Sequence, residues 1–300
     1  RETPLSLPTL IASKGLQIPV YLDMRENLPA TYAQPPAHKY FWRMFRLDFL
    51  SKLYERSMLP YFNHIFTSTK ELGENIQKQY GIKPIQQSVL ENYPSRVFIS
   101  QAQQALSKKN IACTEHVRLV FAGGIGENRG VQDIINALKL IEEKKDDCKI
   151  SFDIIGEGPY IDSLKRLVRE LELFHSVKFI PLLPPSKVAE ALANYDIGVC
   201  SYFLNQQTHH TLPGKLFEYM AVGLPVLSSA RRPVVRIIEK YNCGLIYHNR
   251  DPEEIASKIL YLAKNKELRE RMGQRGREAI INHLNWEENL KTLQNVLQKD

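Results

Sequence analysis

The sequence is short of several things, and each absence excludes a class. No apolar run reaches the ~20 residues that a membrane-spanning helix needs. No internal repeat or low-complexity tract stands out, which argues against solenoids and repeat arrays. The chain opens at Arg1 with no signal peptide, and its natural N-terminus is expected to lie upstream. Cysteine is scarce. Cys113, Cys148, Cys200 and Cys243 are far apart and form no C-x-x-C pair, so neither a zinc site nor a redox motif is expected. Reduced thiols in a cytoplasmic protein fit this usage, and Cys200, in an apolar run, reads as a small buried hydrophobe. His209 and His210 stand side by side without a third ligand at sensible spacing, so no metal is expected.

What is present describes an ordinary globular chain. Its 300 residues, 43% of them hydrophobic, can bury a substantial core in one large or two medium domains. Forty Lys and Arg against 33 Asp and Glu leave a formal charge of +7, which favours anionic partners without choosing among them.

The second half alternates strand and helix. Val117–Ala122 is a strand ending in Gly123-Gly124, and a helix follows with Val131, Ile134, Ile135, Leu138 and Ile141 on one face. Ile150–Ile155 is a strand closed by Gly156-Glu157-Gly158, with Pro159 suited to the first turn of the next helix. Further strands are expected at Val177–Ile180, Ile197–Cys200, Pro225–Ser228 and Gly244–Tyr247. Ser186 is expected to cap a helix reaching about Asn194, and Gly223 to end the helix Lys215–Val222. Asp251-Pro252-Glu253-Glu254 reads as an N-cap, a first-position proline and a capping-box glutamate, and Asn285 as the cap of the last helix. This alternation predicts a parallel, doubly wound α/β sheet with helices on both faces.

The first half is sparser. Strands at Ile18–Leu22, His64–Ser68 and Ser88–Leu90 and a helix at Thr69–Tyr80 are too few for a whole α/β domain, so its opening strands are expected to be missing. Between them lies His38–Arg56, a basic and aromatic helical stretch. Its plainer reading is a helix with its aromatics in the core, and the functional one is peripheral contact with an anionic membrane surface. No nucleic-acid motif accompanies it.

Ligands of a doubly wound sheet bind beyond the carboxyl ends of its strands. One loop there, Gly123 to Gly130, leads from a strand into a helix, so its amides and Arg129 suit an anion, although glycines after a strand are as often only a tight turn. The other contains Gly214 and Lys215 at a helix start, with Glu218 one turn on, able to accept hydrogen bonds from sugar hydroxyls or simply to face solvent.

These pieces resemble the group 1 glycosyltransferases, also called glycosyltransferase family 4, of the GT-B fold. In family order the sequence has Phe121-Ala122-Gly123-Gly124, Arg129-Gly130, Ile155-Gly156-Glu157-Gly158-Pro159, Val177-Lys178-Phe179 and Tyr195-Asp196-Ile197-Gly198. Then come Leu212 to Val226, the most specific stretch, Asp251-Pro252-Glu253 and Asn285-Trp286-Glu287. The first half matches more loosely, through Pro19 to Asp23, Ser68 and Asn92-Tyr93-Pro94.

The resemblance implies two Rossmann-like domains, with a partial acceptor-side domain at 1–112, a donor-binding domain at 113–284 and a C-terminal helix at 285–300. It implies a retaining transferase that moves a sugar from a nucleotide-sugar, UDP first and GDP next, to a saccharide or lipid-linked acceptor in polysaccharide or envelope assembly. No metal or other cofactor is implied. It assigns Arg129, Lys215 and Glu218 to catalysis. Gly123, Gly124, Gly156, His210, Thr211, Gly214 and Leu216 join them around the donor. Glu218 would hold the ribose hydroxyls, the amides from Gly214 to Leu216 would meet the diphosphate, and Arg129 would neutralise the leaving group.

Three positions depart from the family pattern. His210 stands where an earlier glutamate is common, Gly124 where arginine is frequent, and Arg25 near a frequent histidine. Two other expectations are compatible with the fold. One is a non-catalytic subunit that binds a partner or membrane, and the other a nucleotide-sugar epimerase, which Leu212–Val226 matches poorly.

Overall fold

A computed structural model describes residues 6–25, 47–83, 86–108, 116–144, 148–205, 208–248 and 250–298. The chain forms two compact units. The first holds residues 1–92, 205–212 and 287–300, and the second 93–204 and 213–286. The expected domain border after residue 112 lies among 109–115, outside the described residues.

The second unit carries six parallel strands: β4 His116–Ala122, β5 Lys149–Ile155, β6 Val177–Ile180, β7 Ile197–Cys200, β8 Val226–Ser229 and β9 Gly244–Tyr247. Their spatial order, β6-β5-β4-β7-β8-β9, reverses direction between β4 and β7. That is the 3-2-1-4-5-6 order of a doubly wound sheet, as the alternation of elements predicts. Strands covered on both faces are mostly apolar, and Leu119, Val120 and Phe121 of β4 are all fully buried.

The covering helices begin with α4 Arg96–Ser107, α5 Val131–Glu143, α6 Ile161–Glu170, α7 Pro185–Leu192 and α8 Gly214–Ala221. They continue with α9 Arg232–Tyr241, α10 Pro252–Lys264 and α11 Lys266–Asn282. The apolar stripe of α5 meets Phe152, Leu164 and Ile259 in one core.

Several expected caps behave differently. Asp251 does cap α10, its carboxylate accepting from Glu253 N and Glu254 N. Glu254 closes no capping box with Asp251. Its Oε2 accepts from His248 N at 2.7 Å instead, because the chain before the helix supplies a nearer donor. Ser186 lies inside α7, which starts one residue earlier behind Pro184. Asn285 directly precedes the last helix, and its side-chain amide nitrogen donates to the carbonyls of Ile280 and Ile281. Helix α4 was not expected from the sequence. Only Ala102 along it is buried, so its periodic apolar signal is weak.

The first unit has a parallel sheet of β1 Tyr21–Met24, β2 His64–Thr67 and β3 Gln87–Val89, in that order. Its helices are α1 Ser6–Leu16, α2 Leu47–Met58 and α3 Lys70–Tyr80, joined by α12 Trp286–Leu297, whose first residue belongs to the second unit. Thr69 caps α3 by accepting from Leu72 N. Of the basic aromatic stretch 38–56, residues 38–46 lie outside the described ones. The rest is α2, and there the core reading fails, since Phe49, Leu50 and Leu53 are all more than half exposed. The inward face of α2 carries Tyr54 and the buried Glu55 instead, and Glu55 accepts a 2.6 Å hydrogen bond from Tyr80 Oη.

Helix α11 approaches the chain end of α8 without a side chain between them. Gly223 ends α8 in the left-handed region at φ 72°, as expected. A methyl on Gly273 would collide with the carbonyl of Gly223. Alanine in place of a helical glycine ordinarily gains about 0.5–1 kcal/mol. Gly273→Ala is therefore predicted to reverse that sign and to destabilise by about 2–3 kcal/mol, read as a lowered urea midpoint.

Candidate functional site

The site grows from one tyrosine. Tyr219 on α8 is fully buried. Its ring fills the space beside Gly198 of β7, where any side chain would collide with it. Its hydroxyl accepts from Ala122 N at 2.9 Å, the last residue of β4. Helix α8 is thus tied to both strands that flank the reversal of strand order, where such sheets bind ligands.

The rest of the site follows from that placement. Two glycine loops are zipped together at the carboxyl ends of β4 and β5. Gly123 N donates to Ile155 O, Ile125 N to Glu157 O and Tyr160 N to Ile125 O. Gly156, at φ 142°, brings its backbone so close to Gly123 that a Cβ would strike the Gly123 carbonyl. Gly156 thereby shapes the loop that carries Gly123 and Gly124. Gly124 itself is exposed, with open space where a side chain would stand.

Lys215 enters from the first turn of α8. Its Nζ is buried and lies 3.4 Å from the centre of the Phe121 ring. A Cβ on Gly123 would sit 3.3 Å from it, so the glycine leaves room for the ammonium. Among the described residues no hydrogen-bond acceptor reaches Nζ. Burial, the largest influence, holds its ammonium down to about 7. Arg129 and Arg231 push in the same direction, while Cys200 and Glu218 oppose them. Glu218 is half-buried on the same helix, and burial raises its carboxyl above the ordinary value while Lys215 lowers it.

Tyr202, just beyond β7, was not singled out from the sequence. The Arg129 guanidinium stands 4.5 Å from its ring centre, the Arg231 guanidinium 4.0 Å and Lys215 Nζ 5.7 Å. Arg231 is fully buried at the end of β8, with Nη2 3.5 Å from Cys200 Sγ. The neighbouring backbone is pinned as well. Phe203 N donates to Asn128 O at 2.8 Å, and the Phe203 ring lies against Gly130, which adopts φ 66°. Position at a strand's carboxyl end was the signal available for Tyr202 and Arg231.

Of the amides expected to meet a diphosphate, Gly214 and Lys215 open α8, and no side chain caps it at Pro213. Leu216 N is already bonded to Pro213 O. Gly123, Gly124, Arg129, Gly156, Gly214, Lys215, Leu216 and Glu218 all belong to the second unit. His210 and Thr211 fall on the stretch grouped with the first, where His210 O accepts from Thr69 Oγ1 at 2.8 Å. In the first unit Arg25 is engaged structurally. Its guanidinium donates to Asp23, to the Leu90 carbonyl and to Asn92.

Known proteins resemble this chain. Residues 102–279, more than half the chain, match the family model described as glycosyl transferases group 1. The chain belongs to the group 1 glycosyltransferase family. It is 25% identical over 272 residues to spore coat protein SA of Bacillus subtilis, covering 86% of this chain and 70% of that one. It is 26% identical over 195 residues to N-acetyl-alpha-D-glucosaminyl L-malate synthase of Bacillus anthracis, covering 65% of this chain and 48% of the relative. Among solved structures, Anabaena HepE in complex with UDP superposes with a TM-score of 0.75 at 13% identity, over 100% of this chain and 77% of that one. That likeness establishes the GT-B fold. Among the described residues no helix is long and apolar enough to cross a membrane.

Removing the Tyr219 hydroxyl tests the anchor. Tyr219→Phe leaves the Ala122 N–H buried against a ring edge and is predicted to cost about 1–3 kcal/mol in urea unfolding. An unchanged midpoint would show that this bond does not hold α8.

Proposed function

We propose that the second unit binds the donor of a retaining glycosyltransferase, a nucleotide-sugar with UDP as its first carrier. The observation that supports this reading best is the convergence of Arg129 and Lys215 on the Tyr202 ring, with Lys215 in the uncapped first turn of α8, beside the point where strand order reverses. A diphosphate brings the negative charge that this arrangement is suited to hold. In the transfer, the bond from the anomeric carbon to the diphosphate oxygen breaks and the acceptor oxygen takes its place, the acceptor's proton passing to the departing diphosphate oxygen. The nucleoside diphosphate leaves with the bonding electrons. Arg129 and Lys215 stabilise the charge that grows on it, which is the main electrostatic task of such a step. In this reading no metal shares that task.

Glu218 accepts hydrogen bonds from the ribose hydroxyls, and Gly123, Gly124 and Gly156 form the loop wall beside the donor. His210 and Thr211 supply further contacts to the sugar. The acceptor is a saccharide or a lipid-linked saccharide, bound through the part of the protein within 1–112. Residues 113–284 form the donor domain and 285–300 the closing helix. UDP in the HepE complex supports the carrier. A second reading, a non-catalytic subunit, draws support from Arg25, whose guanidinium is spent on Asp23, Leu90 and Asn92 where the family often has a histidine.

Calorimetric titration with UDP and GDP distinguishes the two. UDP is predicted to bind, and Glu218→Ala to weaken it by ~1.5–3 kcal/mol, roughly ten- to a hundredfold in affinity. A well-folded chain that binds neither nucleotide would contradict the donor assignment and favour the non-catalytic reading.

A further inference from the structure

Three cations gather around one aromatic ring in the second unit, and one of them can change its charge. Guanidinium groups are in general permanent cations, and Arg129 and Arg231 each bring one. Lys215 does not share that constancy, since Nζ is buried against Phe121, none of the described residues offers it an acceptor, and its ammonium is held down to about 7. The groups facing it come from every neighbouring element. They are Arg129 from the turn after β4, Cys200 and Tyr202 from the end of β7, Arg231 from the end of β8 and Glu218 from its own helix.

We propose that Lys215 stands proton-free in the empty site and that a donor diphosphate is bound together with one proton, taken up at Lys215 Nζ. The inference rests on the donor reading above. Its physical basis is the cluster itself. A second and third positive charge beside a desolvated amine oppose its protonation. A diphosphate placed among the same groups reverses the sign of that field and stabilises the ammonium. In the binding step the Nζ lone pair accepts a proton from the buffer, and no bond of the donor breaks. The site thereby gathers less positive charge when no donor is bound, yet presents all three cations to the leaving group.

Linkage sets the direction. Because the bound form holds the proton more tightly, affinity falls as pH rises above the range where the empty site loses it, by up to about tenfold per pH unit. The test is isothermal titration of the full chain at pH 8 in buffers of different ionisation enthalpy, with UDP-glucose and GDP-mannose as probes. These sugar diphosphates have no ionisation of their own near neutrality.

The slope of observed enthalpy against buffer enthalpy is expected to report uptake of about 0.5–1 proton per site. Lys215→Arg, which is permanently charged, is expected to bind with a slope near zero and a flatter pH dependence. Binding of a probe to the unaltered chain with no proton uptake overturns the inference while leaving the donor reading intact. Uptake that persists in Lys215→Arg also overturns it, by moving the proton to another group. Failure of both probes to bind removes the donor reading and the inference with it.

Discussion

The docking of Tyr219 is the constraint on which the site depends. A ring that size can lie on the sheet only because β7 offers Gly198, and its hydroxyl satisfies an amide that would otherwise end β4 without a partner. Three functional consequences follow from that one placement. The start of α8 is presented at the reversal of strand order, Lys215 reaches the end of β4, and Glu218 lies one turn further along the same helix. The glycines at 123 and 156 complete the arrangement by letting two loops touch through their backbones, so that nothing bulky fills the space Lys215 occupies.

The site is also electrostatically costly. A buried amine is costly to protonate in any fold, and two guanidiniums nearby add to that cost. Proteins keep such arrangements where function needs them, which is why strongly shifted groups gather at binding and catalytic sites. Here the cost is moderated by aromatic faces. Phe121 lies under Lys215, and Tyr202 is shared by Arg129, Arg231 and Lys215, each offering the weak attraction of a ring face for a cation. This gives a site whose clustered positive charge a bound anion would complement.

Much of the second unit was legible in the sequence. Each of its six strands lies within a residue or so of the run that predicts it, since strands covered on both faces must be continuously apolar and are bounded by glycine or proline. Arg129, Lys215 and Glu218 were legible for a different reason, their place directly after a strand or at a helix start. Tyr202, Arg231 and Tyr219 were not, because their roles arise from packing between elements distant in sequence, Tyr219 and Ala122 being 97 positions apart. Caps were legible only where the chain offered no competing partner. Asp251 behaves as expected, whereas Glu254 is drawn to His248. The first unit was harder. A basic aromatic helix implies a buried aromatic face, but α2 turns Glu55 inward toward Tyr80 and leaves Phe49 and Leu53 exposed.

The central claim is that α8 and the loop after β4 form a nucleotide-diphosphate site. Hydrogen–deuterium exchange of the full chain, with and without saturating UDP, tests it most directly. Slowed exchange is expected in peptides spanning 122–130 and 214–218, with smaller effects around 200–204. Binding that protects only distant segments, such as 149–151 at the opposite end of β5, would contradict it.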